Sequence, residues 1–151
     1  SPRIIRGNAS EIMALAGYSS VTKGPESTSS SADALHAARE LALHTGAAVL
    51  VTGRTDYSTD GRQVTATENG HAMMSRVTGV GCSMGALSAA CAAVSPTPLQ
   101  AAVSTAVLMG IAGEMAFEQS PFPGSFAVSL LDSLYALSPE DVVRRARFLS
   151  L

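Results

Sequence analysis

The sequence has no tryptophan, and aromatic residues make up only 5% of it. A core without large rings has to be built from small and aliphatic side chains packed closely. Charge is scarce too, at 15% of residues against 46% hydrophobic, which excludes a disordered chain and indicates a globular one. Neither sign dominates: 10 Lys and Arg against 12 Asp and Glu leave a net charge of −2. Apart from Arg144, Arg145 and Arg147 the basic residues are scattered, so no nucleic-acid partner is expected. There are 2 cysteines, Cys82 and Cys91, nine positions apart on what reads as one helix, too far to bridge within it. Neither belongs to a metal-ligand pattern, and reduced thiols point to a cytoplasmic protein. No signal-peptide pattern opens at Ser1, and no uninterrupted apolar run is long enough to span a bilayer. Leu99 to Phe117 comes nearest, but Gln100, the Ser104-Thr105 pair and Glu114 mark it as a helix buried within protein, so no membrane partner is expected. With 151 residues and no internal repeat, residues 1–151 read as a single domain.

What the chain does have is a glycine-rich turn, Val77-Thr78-Gly79-Val80-Gly81-Cys82, running straight into the apolar, small-residue stretch Ser83 to Val94. A turn that opens a helix presents unpaired N–H groups and the positive end of the helix dipole, which is what holding an anion requires. Glycine lets the backbone approach that anion with no Cβ in the way, so Gly79, Val80 and Gly81 form a candidate anion hole. Cys82 falls in the first helical turn, where the same field favours a thiolate, and is therefore a candidate base. The plainer reading of an isolated Gly-x-Gly-Cys is a tight turn with a buried cysteine.

Taken in order, the chain alternates strands and helices. Arg3 to Arg6 reads as the tail of a strand, opening abruptly as if cut from something longer. Asn8 or Ser10 caps a short helix from about Ala9 to Leu15, with Glu11 in its first turn and Gly17 ending it. Arg6 and Glu11 thus flank a strand-to-helix junction, where open α/β sheets bind ligands. Tyr18 to Ser31 reads as a loop. Ser30 or Ser31 caps a helix to about Thr45 that buries Leu35, Ala38, Leu41 and Ala42 and is closed by Gly46; His36 and His44 read as solvated. Ala47 to Val51 is an unbroken apolar run, expected of a central parallel strand buried on both faces, with Thr52 at its carboxyl end. Asp56–Ser58 and Gln63–Thr67, around the two-residue signal Asp60-Gly61, predict an antiparallel hairpin. Asn69-Gly70-His71 makes another turn, in which His71 reads as bonding backbone or capping an interface rather than as catalytic, with no nucleophile adjacent in sequence and no acidic orienter. Beyond the Cys82 helix, Thr97 and Pro98 start a helix to about Gln119, in which Gly110 and Gly113 admit a close neighbour and Glu114 is either buried with a partner or exposed. Ser125 caps a helix from Phe126 to Leu137, and Ser138-Pro139-Glu140 starts the last.

Several segments together carry a family resemblance: Ile5-Arg6-Gly7-Asn8-Ala9-Ser10-Glu11-Ile12, Val51-Thr52-Gly53 with Asp56, Thr59-Asp60-Gly61, Asn69-Gly70-His71, the Cys82 turn, Ala112-Gly113-Glu114 and Pro123-Gly124-Ser125-Phe126. In this order they closely resemble the hydroxyethylthiazole kinases, thiamine-salvage enzymes of the ribokinase-like superfamily. The family usually has Thr where this turn has Val80. Lys23-Gly24-Pro25-Glu26-Ser27 matches the family's Gly-Arg-Gly-Val-Asp-Ser segment poorly. The resemblance begins in mid-family, with the N-terminal part missing. It implies an α/β, ribokinase-like fold: a parallel sheet with flanking helices and an antiparallel hairpin.

Phosphoryl transfer asks a protein mainly for positioning and charge neutralisation. The resemblance implies that Arg6 and Thr52 contact ATP, that Gly79 lies against the thiazole and that Cys82 takes the place of the aspartate base of most ribokinase-like kinases. Glu11 is the candidate for holding Mg²⁺; its plainer reading is a helix-dipole carboxylate. For Arg6 the plainer reading is a surface ion pair, and for Thr52 a strand-end hydroxyl. Asp56 is a weaker candidate for facing the nucleotide. The implied activity is transfer of the ATP γ-phosphate to the hydroxyl of 4-methyl-5-(2-hydroxyethyl)thiazole, by a homotrimer with active sites between subunits. Two alternatives stay open: an inactive fragment or remnant that binds nucleotide or assembles with a partner, and a related kinase for another hydroxylated heterocycle.

Overall fold

The computed structural model describes residues 2–18 and 28–151. Its first strand, β1 (Ile4–Asn8), runs directly into α1 (Ala9–Leu15), and α2 (Thr28–Thr45) leads to β2 (Ala48–Thr52). A hairpin, β3 (Asp56–Thr59) and β4 (Val64–Thr67), is followed by a single 3₁₀ turn (Ala72–Arg76). Then come α3 (Val80–Val94), α4 (Pro98–Gln119), α5 (Pro123–Ala136), α6 (Pro139–Arg145) and a short last strand, β5 (Phe148–Ser150). The five strands form one mixed sheet in the order β1-β2-β3-β4-β5. Only β1 and β2 are parallel, with Asn8 opposite Thr52 at their carboxyl ends; the remaining pairs are antiparallel.

The period-2 alternation of β2 builds the layers. Ala48 and Leu50 face one way, into a core with Met84, Ala106, Met109 and Phe126 from α3, α4 and α5. Val49 and Val51 face the other way and pack with Ile12 of α1 and Ala34, Ala38 and Ala42 of α2. The unbroken apolar run is therefore a strand buried on both faces, as expected, and all four of these residues are at most 5% exposed. The α/β architecture with a mixed sheet and flanking helices follows. α4 is long and apolar enough to cross a membrane by length and composition, yet Ala102, Ala106, Met109, Ala112 and Ala116 are fully buried in the core, as Gln100 and Glu114 anticipate.

Several boundaries differ from expectation for local reasons. The start of α1 does not: of its two expected caps Asn8 is the one used, and Glu11 closes the capping box by accepting the Asn8 N–H. The loop expected over Tyr18 to Ser31, including Lys23 to Ser27, lies outside the described residues from 19 to 27, and α2 begins at Thr28, earlier than the expected caps. The hairpin loop has four residues, Asp60–Gln63, because Thr59 pairs with Val64. Asp60 Oδ1 accepts the N–H groups of Arg62 and Gln63, closing a wider turn than the Asp-Gly pair suggests. Thr97 caps α4 as expected, but α5 starts earlier than Ser125, with Phe122 at the cap and Pro123 in the first turn. The last strand, β5, has no counterpart among the sequence expectations. Its three residues are exposed, and its place is set by pairing with β4 rather than by any apolar pattern of its own.

Candidate functional site

The parallel strands end where the expected site residues gather. Arg6, in the middle of β1, reaches across to α3, and its Nη2 donates to the Gly81 carbonyl at 2.6 Å. This replaces the surface ion pair that would have been its plainer role: among the described residues Arg6 makes no salt bridge. Glu11 sits in the first turn of α1, where its Oε2 accepts the Asn8 N–H at 2.8 Å. Its helix-end role is thus real, and it uses one carboxylate oxygen. Thr52 is the last residue of β2.

α3 opens on Gly79, whose φ of +97° places it in the left-handed region that glycine adopts without strain. No side chain caps this helix, whereas Asn8, Thr97 and Ser138 cap α1, α4 and α6. The first helical bond runs from Ser83 N to the Gly79 carbonyl at 2.9 Å, leaving the N–H groups of Val80, Gly81 and Cys82 ahead of it without an intrahelical acceptor. Gly81 and Cys82 are exposed, and Val80 turns its side chain toward the core. Cys82 is an exposed free thiol, while Cys91 is buried on the same helix. The tight-turn reading with a buried cysteine therefore fails at Cys82.

These pieces line one cleft of about 620 Å³, bounded by Arg6, Asn8, Glu11, Thr52, Gly81 and Cys82. A second, larger cleft of about 950 Å³ shares Arg6, Thr52 and Gly81 with it. Gly79 lines neither. The larger cleft adds Arg54 from the β2–β3 turn, Asp56 at the start of β3, Asn69 and His71 from the turn after β4, and an apolar floor that includes Met84 and Met109. Asp56 Oδ1 accepts the Gly53 N–H at 2.9 Å, tying down the turn that follows Thr52. Burial pushes the Asp56 carboxyl up to about 6, against the Gly53 N–H, which favours the ionised form.

The Asn69–His71 wall had only a turn signal in the sequence. His71 accepts the Met73 N–H on Nδ1 at 3.1 Å and stacks on Phe117 with 3.6 Å between ring centroids, the backbone-bonding role expected of it. His36 and His44 are exposed, and His36 lies 3.5 Å from Glu40. Arg144, Arg145 and Arg147 pair with Asp141, Glu118 and Glu114, so the one basic cluster of the sequence is neutralised on the surface.

Residues 1–140 match the hydroxyethylthiazole kinase family. The chain is 99% identical over its full length to a hydroxyethylthiazole kinase of Akkermansia muciniphila, of which it covers 56%. It is 54% identical over 90% of its length to one of Granulibacter bethesdensis, covering 50% of that protein. The solved structure of a hydroxyethylthiazole kinase protein from Pyrococcus horikoshii OT3 superposes with a TM-score of 0.85 at 36% identity, over 98% of this chain and 54% of that one. The chain spans about half the length of the curated relatives it matches. With a family match over nearly all its residues and a cleft assembled from the segments that carry the resemblance, this chain belongs to the hydroxyethylthiazole kinase family.

Proposed function

We propose that this chain carries the phosphoryl-handling part of an ATP-dependent kinase for 4-methyl-5-(2-hydroxyethyl)thiazole, acting in thiamine salvage. The reading rests on one observation: an uncapped helix start, an arginine, a strand-end threonine and an exposed thiol converge on one cleft from segments far apart in sequence. Phosphoryl transfer needs this combination, because the moving group brings its own reactivity and the protein supplies position and charge. The open N–H groups of Val80, Gly81 and Cys82 are suited to cradle the transferred group, and the Arg6 guanidinium, with donors to spare beyond Gly81, to hold the polyphosphate. Thr52 offers its hydroxyl to the nucleotide, and Gly79 lies on the acceptor side.

In the step itself, the acceptor oxygen forms its bond to the γ-phosphorus as the bond to the ADP oxygen breaks. The acceptor's proton passes to Cys82 Sγ. The residues present fit Mg²⁺: this ion keeps most of its waters and phosphate oxygens and needs only one or two carboxylates, and Glu11 has one oxygen beyond its capping bond. Among the described residues no cluster of three acidic, His or Cys ligands exists, so the ion would be held jointly with phosphate. When bound it neutralises charge on the phosphates.

Assembly as a homotrimer and a cytoplasmic, single-domain protein belong to the same reading. Val128, Leu131 and Tyr135, 62%, 58% and 95% exposed on one face of α5, support association. A coupled ADP-release assay, with and without the thiazole alcohol, tests the activity. It is run on the chain alone and with the N-terminal half of a longer relative supplied in trans. Thiazole-dependent release is expected with the added half and, for want of acceptor positioning, orders of magnitude less without it. No release in either arm would leave the nucleotide-binding remnant standing, and release driven by another hydroxylated heterocycle alone would reassign the acceptor.

A further inference from the structure

One face of α4 is given over to holding the wall of the larger cleft. Gly110, Gly113, Glu114 and Phe117 recur at i, i+3, i+4 and i+7, a single stripe of a helix, and each meets the segment 69–74. A Cβ on Gly110 would fall 2.5 Å from the Asn69 Cβ, and one on Gly113 would overlap Met74 Sδ. Phe117 stacks on His71. Glu114 is the polar member, its side chain only 14% exposed. Its Oε1 accepts three donors: Gly70 N at 2.9 Å, Asn69 Nδ2 at 3.1 Å and Arg147 Nη2 at 2.6 Å.

The wall is fastened from behind as well. Asn69 Nδ2 also donates to the Arg145 carbonyl at 2.8 Å, and Asn69 Oδ1 accepts the Arg147 N–H at 2.7 Å. Beyond the wall the 3₁₀ turn Ala72–Arg76 ends at Val77, and only Thr78 separates that residue from the Gly79 start of α3. Five of the eight residues between Gly70 and Gly79 belong to that turn, so a displacement at Gly70 has only three others in which to be absorbed before it reaches the helix start.

We infer that Glu114 is a positioning residue: it sets the Asn69–His71 wall and, through the 3₁₀ turn, the Gly79–Cys82 helix start. It lines neither cleft, and it acts by fixing backbone that does. The inference deepens the proposed function and rests on it only for the ligand concerned, a nucleotide polyphosphate.

The test uses the full chain with Glu114→Ala, Glu114→Gln and Phe117→Leu, and reads amide exchange without ligand and ATP affinity by calorimetry. Glu114→Gln keeps an oxygen for Gly70 and Asn69 and should stay within about threefold of the parent in both. Glu114→Ala should speed exchange at Gly70, Met73, Met74 and Ser83 by about tenfold or more, leave the α4 and α5 amides protected, and weaken ATP binding by a similar factor. Phe117→Leu, which releases the His71 stack without touching Glu114, should give the same pattern in milder form if Glu114→Ala does not fold. A merely structural glutamate would lower the melting temperature while exchange at Ser83 stayed at parent rates, and that result overturns the inference. A parent chain that binds no ATP would instead count against the proposed function, with the ligand-free exchange still deciding the role of Glu114.

Discussion

Asp56→Asn should make this protein more stable at neutral pH, and the gain should vanish in acid. The folded carboxyl titrates at about 6 against an ordinary value of 3.8, because burial at the cleft edge penalises its charge. A group with a raised folded value stabilises the fold most below its unfolded value and loses that contribution as pH rises through its folded one. The loss therefore opens near pH 4 and is complete a little above pH 6. At 1.36 kcal/mol for each pH unit, the gap corresponds to about 3 kcal/mol, reduced to about 2 kcal/mol by water reaching the half-buried group. Asparagine keeps an oxygen to accept the Gly53 N–H and carries no charge, so the variant isolates the ionisation term. Urea unfolding of parent and variant at pH 4, 5, 6 and 7.5 reads the difference directly, because every other titrating group cancels. The variant should match the parent near pH 4 and lead by about 2 kcal/mol at pH 7.5. A difference that stays constant with pH, or a variant weaker at pH 7.5, would refute the reasoning.

Other outcomes bear on the site and the core. Cys82→Ala should lower kcat with little change in ATP affinity, and Cys82→Asp should retain measurable turnover; an unchanged kcat in the alanine variant removes Cys82 from the reaction. Glu11→Gln keeps an oxygen for the Asn8 N–H and should raise the Mg²⁺ concentration for half-maximal rate while leaving the fold intact. Phe126 of α5 is fully buried in the core, so Phe126→Ala should cost about 3–5 kcal/mol in denaturant unfolding. Gly61 has a φ of +92°, and a Cβ there would lie 2.5 Å from Leu43 Cγ, so Gly61→Ala should lower the melting temperature, whereas Leu43→Ala in the same background should recover part of the loss.

The segments that were legible in the sequence are those whose structure is decided locally. The short helix from Ala9 to Leu15, with its cap narrowed to Asn8 or Ser10, the Thr97-Pro98 helix start and the apolar run into Thr52 each contain their own physical cause within a few residues. Gly110 and Gly113 announce a close neighbour but not which one, and Glu114 leaves open whether it has a partner at all, since Asn69 and Met74 reach this face only through the tertiary fold. β5 left no signal, because three exposed residues gain their strand character from β4 alone. Asp56 illustrates the middle case. Its bond to Gly53 is local, but the burial that changes its chemistry comes from surrounding elements.

The contact between Arg6 and the Gly81 carbonyl closes a loop of 75 residues, and this gives the site a place in time as well as in space. Local contacts such as the α1 cap form early at little entropic cost, whereas a contact of this span must wait for the intervening chain to condense. On the ribosome, the first strand and helix are complete long before the residues that finish their cleft have been synthesised. The cleft is thus a late product of folding, and a ligand that selects it acts on the final state alone. Any affinity for nucleotide is then added to the stability of the finished fold and to none of its precursors.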